Sequence, residues 1–120
     1  MKMNIAVCED IASDCDLLCA YIQDYCNKHC YEASISSFET AEALLDAFSE
    51  SGFDLVFLDI ILPGISGVDA AAEIRKTDRD CMLMFITVSR DHAVDGFDLQ
   101  ASGYVVKPYD RAKLYNALHV

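Results

Sequence analysis

Two kinds of apolar pattern alternate along the 120 residues of the chain. Short runs rich in Ile, Val and Phe stand at 4–8, 33–38, 54–58, 82–88 and 104–106. Three of them are almost wholly apolar, as strands covered on both faces require. The run at 33–38 alternates, which suits an edge strand. Between these runs apolar residues recur at spacings of three and four. Leu17, Leu18, Tyr21, Ile22 and Tyr25 do so within 11–29, and Ala41, Leu44, Leu45 and Phe48 within 41–50. Thr40 is placed to cap the second helix. Ser66, with Asp69 three residues on, is placed to cap a third over 67–76. Segments 91–101 and 110–119 read as two more helices, the last with Asp110 at its start. This alternation of strand and helix predicts a parallel sheet with helices on both faces, in one domain over 1–120.

Such sheets carry their sites beyond the carboxyl ends of the strands. Glu9-Asp10 follows the first predicted strand, Asp59 ends the third, Thr87 ends the fourth, and Lys107-Pro108 follows the fifth. Three carboxylates brought together repel one another unless a cation binds. Hard oxygen ligands, with room left for water and a phosphate, suit Mg²⁺. A hydroxyl and an ammonium beside them suit an anion arriving next to that metal. The cluster therefore points to a Mg²⁺ site that receives a phosphoryl group on a carboxylate, as in known aspartyl phosphates. Metal and lysine would neutralise charge on the transferring oxygens. Taken singly, each residue has an ordinary reading: a strand-end acid caps a helix, Thr87 is a strand residue, Lys107 is a solvated charge. The weight lies in their conjunction at four strand ends.

Composition narrows the classes further. The chain is 53% apolar and 24% charged, the balance of a globular domain rather than a disordered segment. No apolar run approaches the ~18 residues needed to cross a bilayer. The first apolar run leads directly into Glu9 and Asp10, which is unlike a signal peptide. A net charge of −11 would be repelled by a phosphate backbone, so direct nucleic-acid binding by this chain is not expected. The charge is lopsided: residues 1–60 hold 12 acids and 2 bases. The six cysteines, Cys8, Cys15, Cys19, Cys26, Cys30 and Cys81, accompany ample apolar content. They read as reduced thiols of a cytoplasmic protein, not as a disulfide framework.

The stretches Val7-Cys8-Glu9-Asp10, Phe57 to Gly67 with its Asp-x-x-x-Pro-Gly-x-x-Gly core, Ile86-Thr87, and Gly103 to Pro108 together resemble a response-regulator receiver domain. This is the phospho-acceptor half of bacterial two-component signalling. The resemblance covers essentially the whole chain. It implies a flavodoxin-like, doubly wound (βα)5 fold with a five-stranded parallel sheet in the order 2-1-3-4-5. It implies that Asp59 accepts the phosphoryl group from a sensor histidine kinase. Asp10 would bind Mg²⁺ directly, Glu9 largely through water, and the Ile61 backbone carbonyl would be a further ligand. Thr87 resembles the hydroxyl that moves toward the phosphoryl group, Tyr104 the switch aromatic that follows it, and Lys107 the lysine that pairs with a phosphoryl oxygen. The Lys107–Pro108 bond is expected to be cis. A homodimer, or release of an output domain, through the segments 91–101, 104–106 and 110–119 is the implied readout.

Ala93, Phe97, Ala101, Tyr104, Lys107 and Pro108 also fit a pattern resembling receivers joined to LytTR-type DNA-binding domains. That implies a receiver excised from a longer transcription regulator, with a natural stand-alone receiver as the alternative. Two positions depart from the family. Val88 is bulky where a small residue is usual, and is expected to narrow access to the phosphoryl group. Ile61 is apolar where the family often has a polar side chain, and is expected to hinder water and prolong the phosphorylated state. Ile61 also counts against a haloacid-dehalogenase-type phosphatase, which needs a second Asp there. Glu9 and Asp10 count against a flavodoxin, whose phosphate loop they would repel. Along the first helix, Cys15, Cys19, Cys26 and Cys30 fall within about 60° of one another. With Leu17, Tyr21 and Tyr25 taken as the apolar centre, the thiols are placed on the flank or outer face, as small fillers. The two cysteine pairs lie about 16 Å apart along the axis, which excludes one four-thiolate metal site.

Overall fold

Parallel pairing joins β1 (Lys2–Cys8), β2 (Glu32–Phe38), β3 (Leu55–Leu58), β4 (Met82–Thr87) and β5 (Gly103–Val106) into one sheet in the order β2-β1-β3-β4-β5. The computed structural model describes residues 2–89, 91, 95 and 98–118. Its helices are α1 (Ala12–Lys28), α2 (Ala41–Ser51), α3 (Gly67–Thr77) and α4 (Arg111–Leu118). The fold class and strand order read from the sequence are therefore observed. Residues 92–94, 96 and 97 of the helix expected over 91–101, including Ala93 and Phe97, lie outside the described residues.

The sequence explains the helix starts. The Thr40 hydroxyl accepts from the Ala43 N–H at 3.2 Å, and the Ser66 hydroxyl from the Asp69 N–H at 3.1 Å. The Asp110 carboxylate accepts from the Lys113 N–H at 2.8 Å. Each satisfies a donor that the first helical turn leaves unpaired.

Side chains alternate across the sheet with period two. Ala6, Cys8, Val56, Leu58, Leu83 and Phe85 face one layer, formed by Leu44 and Phe48 of α2 and Ala70, Ala71 and Ile74 of α3. Ile5, Val7, Phe57, Met84 and Ile86 face the other, formed by Leu18, Ile22 and Cys26 of α1 and Leu114 of α4.

The buried stripe of α1 corrects the sequence reading. Its centre is Leu18, Ile22 and Cys26, and Leu17 is 45% exposed. The tyrosines flank it: the Tyr25 and Tyr115 rings meet edge to face at 5.2 Å, and the Tyr115 hydroxyl donates to the Tyr21 carbonyl at 3.3 Å. The cysteines lie beside that stripe rather than away from it, as 100° per residue requires once the centre moves. Cys26 is in the core, Cys15 and Cys19 pack against it, and only Cys30 of the four is exposed. All six thiols are free. Among the described residues no helix is long and apolar enough to cross a membrane.

Candidate functional site at the carboxyl ends of the strands

The ladder continues one residue beyond the strands and fixes the acidic backbones there. The Glu9 N–H donates to the Phe38 carbonyl at 2.9 Å, and the Asp59 N–H to the Cys8 carbonyl at 3.1 Å. Across the sheet the Lys107 N–H donates to the Thr87 carbonyl at 2.8 Å. Register alone thus sets Glu9 beside Asp59, because Cys8 pairs with Leu58. Among the described residues the buried polar ones are Glu9, Asp59 and Thr87, all three at this end of the sheet.

The loop after Asp59 is held by glycines. A Cβ on Gly67 would lie 2.1 Å from the Asp59 carbonyl oxygen, so α3 approaches the acidic residue as closely as it does only without a side chain. The Gly67 N–H donates to the Ile60 carbonyl at 2.9 Å. Gly64 sits at φ +79°, the left-handed region where glycine carries no Cβ penalty. These contacts give the Pro-Gly-x-x-Gly spacing its physical meaning.

Lys107 reaches the centre of the site, and its peptide bond to Pro108 is cis. Its ammonium bonds Glu9 Oε1, Asp14 Oδ2 at 2.9 Å and Asp59 Oδ2 at 3.0 Å. The second oxygen of Asp59 accepts from the Ile61 N–H at 3.1 Å, and that of Glu9 from the Ile11 N–H at 3.3 Å. Glu9, Asp10 and Asp59 each offer an oxygen, all within 4.8 Å of one another. Asp10 is exposed, which leaves one side of the trio open to water. An all-oxygen, carboxylate-rich set with an open side fits a small hard divalent cation such as Mg²⁺.

The electrostatics show how crowded this charge is. Burial pushes the Glu9 carboxyl up to about 7; the hydrogen bond from Lys107 pulls it down, and the charge of Asp59 pushes it up. Burial disfavours the Lys107 ammonium, but its bonds to Glu9, Asp14 and Asp59 outweigh that and hold its pKa above the ordinary lysine range. Burial, with Glu9 and Asp59 adding to it, pushes the Cys8 thiol up to about 12, so it stays neutral.

Thr87 and Tyr104 meet at a residue that the sequence did not single out. The Thr87 hydroxyl accepts from the Ser89 N–H at 3.4 Å, and the Tyr104 hydroxyl donates to the Ser89 carbonyl at 2.5 Å. The Tyr104 ring packs on Phe85 with centroids 6.1 Å apart. Ile61 and Val88 are 55% and 62% exposed. Asp14 was also missed. Its signal was its phase: it stands four residues after Asp10, one helical turn, on the helix that leaves the site.

The sequence matches the response regulator receiver domain family over residues 10–119. It is 33% identical over 92 residues to protein MrkE of Klebsiella pneumoniae, covering 77% of this chain and 34% of MrkE. It is 35% identical over 85 residues to sensory transduction protein LytR of Staphylococcus epidermidis, covering 71% of this chain and 34% of LytR. The crystal structure of the MrkE response regulatory domain superposes with a TM-score of 0.86 at 30% identity, covering 98% of this chain and 93% of that one. The response regulator TrrA of Thermotoga maritima, in complex with Mg(2+)-BeF, gives 0.81 at 34% identity, covering 99% and 97%. The chain spans about a third of the length of the curated relatives it matches.

Proposed function

The chain belongs to the response regulator receiver domain family, and on that premise we propose that Asp59 takes a phosphoryl group from the histidine of a sensor kinase. One observation carries the reading: one half-buried ammonium, that of Lys107, bonds Asp59 and Glu9 together where Asp10 completes a carboxylate trio. Asp59 attacks phosphorus in line as the bond to the histidine nitrogen breaks. Lys107 moves one donor from a carboxylate to a phosphoryl oxygen. Glu9, Asp10, Asp59 and the Ile61 backbone carbonyl would hold Mg²⁺, which supplies positive charge to those oxygens.

Transmission runs through Ser89. The Thr87 hydroxyl donates to a phosphoryl oxygen, and moving toward it draws its oxygen away from the Ser89 N–H that it accepts from. That movement loosens the backbone at Ser89, whose carbonyl accepts from the Tyr104 hydroxyl. Tyr104 then moves inward, which shifts a pre-existing equilibrium at the surface of β5 and α4. A homodimer, or release of the protein's own C-terminal output domain, reads that surface. The similarity to LytR and the roughly threefold greater length of the relatives favour a LytTR-type transcription regulator as the whole. Six free thiols are consistent with a cytoplasmic setting.

The test is intact mass after incubation with Mg²⁺ and acetyl phosphate, beside Asp59→Asn. One phosphoryl group on the wild type and none on the variant is expected. Equal addition to both would move the acceptor elsewhere. No addition to wild type, with Mg²⁺ binding demonstrated, would leave either a receiver that needs its cognate kinase or one used only for protein contacts.

A further inference from the structure

The carboxylates that surround Lys107 and those that could hold a cation are overlapping sets. Lys107 bonds Glu9, Asp14 and Asp59, while the cation trio is Glu9, Asp10 and Asp59. Lysine and metal therefore compete for two of the same groups. Asp10 belongs to the cation alone and Asp14 to the lysine alone. An ammonium has three donors, and here each is matched to one carboxylate. Glu9 and Asp59 are almost fully buried, whereas the Asp14 side chain is 39% exposed on the first turn of α1. Asp14 can thus keep its bond without being drawn into the metal's shell.

We propose that Asp14 is a positioning residue that retains the Lys107 ammonium at the edge of the site when a divalent cation takes Glu9 and Asp59. The proposal rests on the reading of that trio as a Mg²⁺ site. Without Asp14 the lysine has, among the described residues, no carboxylate partner outside the contested pair. It then competes harder with the metal, or leaves the site and is lost as a donor to the phosphoryl oxygens. Asp14 acts through Lys107, not by general negative charge.

The experiment is a Mg²⁺ titration followed by backbone amide shifts. It compares wild type, Asp14→Ala, Lys107→Met and the double variant, with Asp16→Ala as a charge control on the same helix. Asp14→Ala is expected to weaken Mg²⁺ binding by roughly three- to tenfold more than Asp16→Ala, and to have no such effect once Lys107 is Met. The Lys107 ammonium protons supply a second readout that does not depend on the Lys107→Met fold. At saturating Mg²⁺ they should remain slow to exchange in wild type and become fast in Asp14→Ala. Equal weakening by Asp14→Ala and Asp16→Ala, equal weakening with and without Lys107, or unchanged ammonium exchange would each overturn the proposal. A wild type that binds no Mg²⁺ would instead overturn the metal reading, and this proposal with it.

Discussion

At the carboxyl ends of β1, β3 and β4 stand Glu9, Asp59 and Thr87, buried and polar. Near the amino ends of the same strands stand Met3, Leu55 and Met82, lining an apolar cavity of about 740 Å³ bounded by α1 and α4. One end concentrates charge on buried and partly buried groups with one side open to water, and the other leaves apolar surface loosely filled. The difference shows where stability and chemistry are separately kept. Removing charges from water is expensive, and their mutual attraction repays it only with good geometry and further hydrogen bonds. Lys107 and its three carboxylates are therefore expected to add little net stability, and their arrangement is explained by what it can bind. The apolar end has no such chemistry and contributes through burial.

The largest effect expected from this contrast lies at the apolar end. Ile5 is fully buried, lines the cavity, and faces the α1–α4 layer. Ile5→Ala should lower unfolding free energy by about 2–5 kcal/mol in urea titration, because it removes buried methyl and methylene groups and enlarges the space beside them. The phosphorylation rate of the folded protein with acetyl phosphate should be unchanged. A fall in that rate at full occupancy of the native state would break the separation and show that the two ends are coupled.

The polar end was the more readable in the sequence, and the reason is physical. Parallel strands converge in space, so residues that end apolar runs must meet; Glu9, Asp59, Thr87 and Lys107 could be placed together from spacing alone. Helix caps were readable for the same reason, since Thr40, Ser66 and Asp110 satisfy local donors. The face of α1 was not. Tyrosine is apolar along its ring and polar at its tip, so Tyr21 and Tyr25 could pass for a core centre while flanking it. Small, polarisable Cys26 then filled the buried position that the pattern had assigned elsewhere. Asp14 was obscured because an acid in a first helical turn already has a sufficient explanation in the helix dipole. Arg75 was obscured too: it donates to the backbone carbonyls of Leu99 and Cys81 at 2.8 and 2.6 Å, contacts set by chain path rather than by any pattern.

A smaller effect is expected where the polar end meets solvent. Ile61 is largely exposed, two residues after Asp59, with its N–H held by Asp59 Oδ1. An apolar side chain there cannot orient a water toward a phosphoryl group, whereas an amide can. Ile61→Asn should speed loss of the aspartyl phosphate about tenfold, which corresponds to about 1.4 kcal/mol of barrier. Decay of the phosphorylated mass after removal of acetyl phosphate measures it. An unchanged or slower rate would mean that access of water is set elsewhere, with Val88 the next position to vary.

The last effect is a slope with pH, and it distinguishes the two ends most directly. The Glu9 carboxyl faces the carboxylates of Asp59 and Asp10, the ammonium of Lys107 and the N–H of Ile11. Burial raises its pKa to about 7 from an ordinary 4.5. The folded chain therefore holds this proton more tightly than the unfolded chain. Its contribution to stability is fully present below about pH 4.5 and is lost as pH rises through 7. The slope is at most one proton, about 1.4 kcal/mol per pH unit. Urea titrations between these limits, in a chelator, should show wild type losing stability with rising pH relative to Glu9→Gln. Saturating Mg²⁺ should flatten that difference, because a bound cation favours the carboxylate over the acid. Ile5→Ala, altered only at the apolar end, should keep the wild-type slope at its lower stability. Parallel pH curves for wild type and Glu9→Gln in the chelator would mean that Lys107 already neutralises Glu9, and the polar end would then be less crowded with charge than its burial implies.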